Sequence, residues 1–198
     1  MLKNELRNKF KKLRSQLSPK QVEDYSLDIA NQLLSLDIWD HNMYHLFLSI
    51  EQQKEVQTDF ILHILQGKDK NVIVSRSNFE DYSMKHYLLT DNTVLKTNKW
   101  GIPEPSDNGI LISEDLLDVV FIPLLAGDTN GNRIGYGKGF YDRFLKKCRP
   151  NTLKIGLSFY HPLTTTITPH KDDVPLNIMV CPDQVFFFDS AVDTNNNN

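Results

Sequence analysis

The chain has 198 residues, of which 40% are hydrophobic and 24% are charged, and its formal net charge is −3. This length suits one α/β domain with a buried core, and the near-neutral charge excludes a general surface for nucleic acid. The two cysteines give no disulfide or metal-ligand spacing, and no apolar run approaches the ~20 residues of a membrane span. Because the N-terminus is charged from Lys3 onward and lacks an apolar signal region, we expect a cytoplasmic protein that binds no membrane.

Two helices are predicted in the first part of the chain. The first has an apolar stripe at steps of three and four, made of Leu2, Leu6, Phe10, Leu13 and Leu17. The remainder of this segment, residues 3–14, is strongly basic, which is typical of a solvated helix face. Ser18 and Pro19 then supply the N-cap and the first position of a second helix, whose buried side runs from Val22 to Leu36.

Strands and helices alternate through the rest of the chain. Helices are predicted at 58–67, where Thr58 is the cap, and at 140–148. Strands are predicted at 43–50, 71–75, 84–89, 118–125, 153–159 and 178–188. This alternation predicts a single three-layer α/β domain over residues 1–190, with a largely parallel sheet and helices on both faces. The polar repetitive residues 191–198 are predicted to be a disordered tail.

Two loops are candidates for a binding site. Residues 96–109 are rich in glycine and proline, and residues 126–139 join the most apolar strand to a helix. Ligands of open α/β sheets bind beyond the carboxyl ends of the strands, and the second loop lies in that position.

The second loop carries glycines at every second position, Gly135, Gly137 and Gly139. It is not a Walker A loop, because Lys138 is followed by glycine, and its third glycine comes one residue early for a dinucleotide fingerprint. Bare backbone before a helix nevertheless suits a phosphate, since main-chain N–H groups can approach it closely.

Charged residues flank these glycines. Lys138 and Arg133 can neutralise a polyphosphate, and Asp142 can hold a magnesium ion bound to it. A tight turn with solvated charges is the alternative, and the helix dipole alone favours an aspartate in a first turn. The loop in isolation leaves both interpretations open.

Residues 132–145 closely resemble the signature loop of the 5-formyltetrahydrofolate cyclo-ligase family, also called methenyltetrahydrofolate synthetases. Further segments resemble this family in the expected order, at 3–7, 49–58, 99–105, 118–126 and 170–177. The resemblance implies an ATP- and Mg²⁺-dependent conversion of 5-formyltetrahydrofolate to 5,10-methenyltetrahydrofolate, with release of ADP and phosphate. It implies small-molecule substrates, and we expect a monomer or a weak homodimer.

The resemblance also implies roles for individual residues. ATP would contact Lys3, Arg7, Arg133, Ile134, Gly135, Tyr136, Gly137, Lys138, Gly139, Phe140 and Tyr141, of which Arg133, Lys138 and Tyr141 would be catalytic. The folate would contact Ile50, Glu55, Trp100 and Tyr136, and the metal would be held by Asp142 and Asp173.

Each of these roles has a structural alternative. Lys3 and Arg7 also suit a solvated helix face, Glu55 a protein surface, and Ile50 a core. Trp100 also suits a residue that pins a long loop. The metal role of Asp173 competes with that of its neighbour Asp172, and His161 and His170 are interpreted as loop histidines.

Three departures from the family pattern concern Ser75, Gly127 and His161. Gly127 stands where an aromatic residue is usual, which predicts a reshaped pocket wall. Gly127 and His161 keep open a binding relative without turnover. A phosphosugar enzyme is a weaker alternative, because Glu55 and Trp100 suit a pterin.

Overall fold

The computed structural model describes residues 3–106 and 108–188. Their α-helices are α1 (Lys3–Ser15), α2 (Pro19–Leu34), α3 (Asp59–Gly67) and α4 (Phe140–Leu145). Their first six strands are β1 (Met43–His45), β2 (Asn71–Ser77), β3 (Met84–Leu88), β4 (Leu95–Thr97), β5 (Pro103–Pro105) and β6 (Leu111–Ile112). The others are β7 (Val119–Pro123), β8 (Ala126–Gly127), β9 (Arg133–Ile134), β10 (Leu153–Leu157), β11 (Ile178–Val180) and β12 (Val185–Phe187). Leu2 and the predicted tail lie outside the described residues.

Eight of these strands form one mixed sheet in the order β12-β11-β10-β7-β1-β2-β3-β6. Its five consecutive strands from β11 to β2 pair in parallel, and the antiparallel pairs lie toward the two edges. The two hairpins β4–β5 and β8–β9 stand outside this sheet. This topology confirms the prediction of a largely parallel α/β fold.

Strand β7 shows how the sheet is covered on both faces. Val119 and Phe121 pack into one apolar cluster with α2 and α3, whereas Val120 and Ile122 pack into a second cluster with α4. All four are fully buried, and burial of such side chains contributes about 1.5–3 kcal/mol each. The period of two in this strand therefore produces the three predicted layers.

The predicted start of α2 is confirmed, and Thr58 occupies the predicted N-cap position of α3 without a capping bond. Ser18 and Gln21 form a reciprocal capping box, with Pro19 at the first helical position. Thr58 precedes α3, but its hydroxyl donates to the carbonyl of Phe47 at 2.7 Å and makes no cap bond. The hydroxyl therefore ties α3 to the segment after β1.

Helix α1 docks on the hairpin that precedes the glycine loop. Leu6 and Phe10 pack against Leu125, Ala126 and Ile134. This contact turns the adjacent, basic edge of the helix toward the loop. Within residues 3–106 and 108–188, the helices lack the combination of length and apolar character that crossing a bilayer requires.

Candidate active site

A cavity of about 960 Å³ lies at the carboxyl ends of the central parallel strands. Its walls come from the segment after β1, the end of β2, the end of β7 and the loop that precedes α4. The cavity is lined by most of the residues that sequence analysis selected, namely Lys3, Arg7, Ile50, Glu55, Trp100, Arg133, Gly135, Tyr136, Gly137, Lys138, Gly139, Phe140, Tyr141, Asp142 and Asp173. The expectation that a site lies at this end of the sheet thus has a geometric basis.

Gly137 and Gly139 have backbone conformations that require glycine. Their φ angles are +88° and +72°, in the left-handed region. A Cβ atom on Gly137 would also lie 2.9 Å from Cζ of Arg7. A Cβ atom on Gly135 would meet nothing within 4 Å, so this third glycine leaves open space in the cavity wall.

The basic edge of α1 lies against the glycine loop. Arg7 donates from Nε to the carbonyl of Gly135 at 3.1 Å, and Nζ of Lys11 lies 5.4 Å from the ring centroid of Tyr136. Lys3, Arg7 and Lys11 follow at steps of four, so they share one face of the helix. Because all three line the cavity, this helix face is part of the site.

Ile134 is the one predicted contact that does not line the cavity. Its side chain is 1% exposed and packs against Leu6 and Phe10 in the core. Its carbonyl accepts the N–H of Leu125 at 2.7 Å. The ATP contact expected of Ile134 is therefore limited to the main chain and stays a prediction.

Arg133 anchors the start of the loop to α4. Its Nη2 donates to Oδ1 of Asp142 at 2.6 Å, and its Nη1 donates to the carbonyl of Val174. Oδ1 of Asp142 also accepts the N–H of Val174 at 3.2 Å. Burial lowers the pKa of Arg133, while the carboxylates of Asp142 and Asp173 oppose this shift. The guanidinium therefore contributes a fixed positive charge to the cavity wall.

The side chain of Asp173 is more buried than that of its neighbour Asp172. Asp173 pairs with Lys3 and accepts the N–H of His170 at 2.9 Å, whereas Asp172 pairs with Lys146 and its side chain is 65% exposed. Burial raises the pKa of Asp173, but the bonds from Lys3 and His170 outweigh burial and lower it. Across the described residues, His, Cys, Asp and Glu form no group of three that could hold a metal.

Glu55 is a buried carboxylate in the segment after β1. It is 4% exposed, so the alternative of a surface glutamate is wrong. Its Oε2 accepts the N–H of Ile50 at 2.8 Å, and its Oε1 accepts the hydroxyl of Tyr136 at 2.7 Å. Burial raises its pKa, and the bonds from Tyr136 and Ile50 and the charge of Arg14 oppose this shift. Tyr136 thus joins the glycine loop to the carboxylate.

An aromatic wall runs along the open side of the cavity. Phe79 lies between Trp100 and Phe140, with ring centroids at 5.5 and 5.3 Å. Trp100 is 54% exposed at the tip of the β4–β5 hairpin, so it does not pin this loop to the core. Flat apolar surfaces of this kind can stack on a planar ligand.

Two buried histidines beneath α4 form a polar row with Ser75, and neither histidine is distinguished by the sequence. The Oγ of Ser75, which lines the cavity, lies 2.5 Å from Nε2 of His45 and 3.1 Å from Nδ1 of His86. Burial lowers the pKa of His86 to about 4 and that of His45 well below its usual value, so both imidazoles are neutral. Each histidine stands in a strand pattern that gives no sign of a polar partner.

Two departures from the family pattern lie away from the cavity. Gly127 does not line it, and a Cβ atom there would lie 2.7 Å from the sulfur of Met179, so the predicted reshaping of a pocket wall is wrong. His161 is half exposed and pairs with Asp183 at 2.7 Å. His170, by contrast, is part of the cavity wall.

The fold and the cavity define an α/β protein with a two-part site, cationic and glycine-rich on one wall, with a buried carboxylate and aromatic rings on the other. A sequence model of the 5-formyltetrahydrofolate cyclo-ligase family matches residues 1–182. The chain therefore belongs to this family and is an enzyme of the ligase class.

Individual relatives agree with this assignment. The chain is 30% identical to the 5-formyltetrahydrofolate cyclo-ligase of Mus musculus, over 80% of this chain and 82% of that one. It is 27% identical to a probable 5-formyltetrahydrofolate cyclo-ligase of Schizosaccharomyces pombe, over 92% and 96% of the two chains. The structure of 5,10-methenyltetrahydrofolate synthetase from Aquifex aeolicus superposes with a TM-score of 0.75, at 25% identity and with full coverage of both chains.

Proposed function

We propose that the protein converts 5-formyltetrahydrofolate and ATP to 5,10-methenyltetrahydrofolate, ADP and phosphate. One observation carries this proposal: Glu55 and the glycine loop share a cavity, and Tyr136 of the loop bonds to Glu55 at 2.7 Å. A kinase-like transfer requires that the phosphate donor and the acceptor meet, so a loop remote from Glu55 would have been incompatible with it.

The wall around Glu55 would bind the folate. An ionised carboxylate can accept two parallel N–H bonds from the 2-amino-4-oxo edge of a pterin. Each oxygen of Glu55 uses one acceptor position on Ile50 or Tyr136, which leaves further lone pairs for a ligand. Ile50 and Trp100 would add apolar contact with the rings.

The glycine loop and the basic edge of α1 would bind the triphosphate. Gly135 leaves open space beside main-chain N–H groups, and Lys138 and Arg7 supply positive charge. Phosphoryl transfer depends mainly on positioning and on neutralisation of charge, and a loop fixed by Arg7 and Arg133 suits that task.

A magnesium ion fits the donor chemistry of Asp142 and Asp173. Mg²⁺ prefers oxygen ligands and usually takes one or two carboxylates, with phosphate and water completing its shell, so three protein ligands are not required. When bound, the ion would neutralise charge on the phosphates. In both carboxylates the hydrogen bonds within the described part of the chain fall on one oxygen, Oδ1 of Asp142 and Oδ2 of Asp173, so each would offer its second oxygen to the ion.

The reaction would proceed in two steps. The formyl oxygen attacks the γ-phosphorus and ADP leaves, which turns a poor electrophile into a phosphate ester. N10 of the folate then attacks the formyl carbon and loses its proton, and the C–O bond breaks to release phosphate. Lys138 and Arg133 would stabilise charge during the transfer. Tyr141, whose pKa is raised by burial and by the charge of Glu55, would act as a neutral donor.

The assay follows methenyltetrahydrofolate by its near-ultraviolet absorbance, with purified protein, 5-formyltetrahydrofolate, ATP and Mg²⁺. We expect product with the full mixture, and none when ATP or the protein is omitted. Absence of product in the full mixture, or equal product without ATP, would contradict the proposal. A relative that binds without turnover is not favoured, because Gly127 and His161, which suggested it, do not line the cavity.

Two further expectations stay predictions. Cytoplasmic location is supported by Cys148 and Cys181, which are free thiols, and cell fractionation tests it. A monomer or weak homodimer is tested by light scattering across a concentration series.

A further inference from the structure

Arg14 is a buried cation in the last turn of α1. It is 5% exposed, although its neighbours Lys11 and Lys12 are exposed on the same helix. Burial of a guanidinium is costly unless acceptors compensate for the lost hydration. Nη2 of Arg14 donates to the hydroxyl of Tyr136, and its Cζ lies 5.5 Å from the centroid of the same ring. This cation is therefore directed at one residue of the glycine loop.

The hydrogen-bond chain from Arg14 to Glu55 has only one possible direction. Arg14 can only donate, and an ionised Glu55 can only accept. The Tyr136 hydroxyl has one hydrogen, so it must accept from Arg14 and donate that hydrogen to Oε1 of Glu55, at 2.7 Å. The second oxygen is held by the N–H of Ile50 at 2.8 Å. Both oxygens are thereby fixed before any ligand arrives.

Few other groups oppose the rise in pKa that burial causes at Glu55. The phenols of Tyr136 and Tyr141 face it as neutral groups, since the pKa of each is raised by burial and by the charge of Glu55. Lys11 lies over the ring of Tyr136, and Lys54 turns away to the carbonyls of Ser15 and Leu17. Arg14 is the cation that lowers the pKa of Glu55 against its burial.

We propose that Arg14 is a positioning residue that acts through Tyr136 to hold the Glu55 carboxylate ionised and correctly oriented for the folate. This inference rests on the proposed role of Glu55 in folate binding. Arg14 itself touches neither substrate. Arginine suits this position because its guanidinium combines a permanent charge with an N–H donor that reaches the Tyr136 hydroxyl.

The first test is the pH dependence of kcat/KM for 5-formyltetrahydrofolate in Arg14→Met, with Arg14→Lys as a rescue variant. Loss of the cation disfavours the ionised carboxylate. The acidic limb of the kcat/KM profile should therefore shift to a higher pH, by about one unit. At neutral pH the KM for the folate should rise while the KM for ATP changes less than twofold. Arg14→Lys should recover part of the shift. Lys12→Met, which removes an exposed charge from the same helix, should leave the limb in place.

The second test needs no turnover. The side-chain carboxyl of Glu55, assigned by its loss in Glu55→Gln, is titrated by ¹³C NMR in the ligand-free protein. Its midpoint should rise in Arg14→Met and in Tyr136→Phe, and should not move in Lys12→Met. Tyr136→Phe keeps the ring and all of α1, so it tests the chain even if Arg14→Met fails to fold.

The two tests separate two failures. If the wild-type protein makes no methenyltetrahydrofolate but the NMR midpoints rise, the proposed function fails and the Arg14 chain stands. If the midpoint is unchanged in Tyr136→Phe and in any folded Arg14 variant, the inference about Arg14 is overturned, whatever the activity.

Discussion

The hydroxyl of Tyr136 donates to Oε1 of Glu55 at 2.7 Å, across 81 positions of sequence. One partner belongs to the glycine loop, and the other follows the first strand of the sheet. Through this bond the wall proposed for the nucleotide and the wall proposed for the folate share a contact. Substitutions on the two walls should therefore affect different substrates, which gives the first two predictions.

Glu55→Gln should weaken folate binding. The substitution keeps the shape of the side chain but replaces a charged acceptor by an amide, and it removes one of the two acceptor oxygens. We expect the KM for 5-formyltetrahydrofolate to rise by about tenfold or more, or activity to disappear, while ATP binding measured by calorimetry is kept. Glu51→Gln, on the exposed turn of the same loop, is the matched control. Unchanged kinetics in Glu55→Gln would remove this residue from the site.

Lys138→Ala should weaken ATP handling instead. The side chain is exposed to the cavity, with Nζ lying 5.8 Å from the ring centroid of Tyr82, so its loss should cost little stability. We expect the KM for ATP to rise by about tenfold, with little change in the KM for the folate. Lys147→Ala is the control, because Lys147 is exposed and pairs with Glu114 outside the cavity. A larger effect on the folate than on ATP would contradict the assignment of the two walls.

Gly137→Ala and Gly135→Ala should differ in their effect on the stability of the fold. Alanine at 137 would have to adopt a φ of +88° and displace the Arg7 guanidinium, so the free energy of unfolding should fall by about 1–2 kcal/mol. Alanine at 135 has open space, so its melting temperature should stay near that of the wild type. Thermal unfolding without ligands measures both. Equal destabilisation by the two variants would show that the packing of Arg7 is not the cause.

His86→Gln should flatten the acid sensitivity of the fold. Burial lowers the pKa of His86 to about 4, whereas an unfolded histidine titrates near 6.5. The unfolded chain therefore binds a proton that the folded chain does not, and stability falls as the pH drops from about 6.5 toward 4. Each such group contributes about 1.4 kcal/mol per pH unit within that window. Urea unfolding across this range should show a shallower slope in His86→Gln and an unchanged slope in the exposed control His63→Gln.

The sequence predicted the elements of the fold better than their pairing. The two strands over 84–89 and at the end of 178–188 were recognised by their apolar residues, yet nothing in those residues shows that they pair in antiparallel. Residues 96–109 read as an irregular loop in the sequence although they contain most of the β4–β5 hairpin, because prolines at both ends of β5 mask its strand character. In both cases the strand pairing is set by contacts of the folded chain that the local sequence does not reveal.

The sequence also located most of the candidate site, but it gave no indication of Arg14. The alternate glycines gave a local signal, since Gly137 and Gly139 have positive φ angles and Gly135 leaves open space, and the family resemblance added Glu55. Arg14 gave no signal, since a basic residue in a basic helix suggests solvent. The four-residue steps of Lys3, Arg7 and Lys11 indicated a shared face, but only the docking of Leu6 and Phe10 fixed which way that face turns.

The pairing of Lys3 with Asp173 spans 170 positions, so the beginning of the chain completes a wall that its last quarter also forms. Because synthesis runs from the N-terminus, α1 leaves the ribosome before residue 173, and Lys3 meets Asp173 only after the segment between them has also emerged. A nascent or truncated chain that stops before residue 173 would lack this closure. The wall proposed for the nucleotide would therefore be complete only after residue 173 has been synthesised.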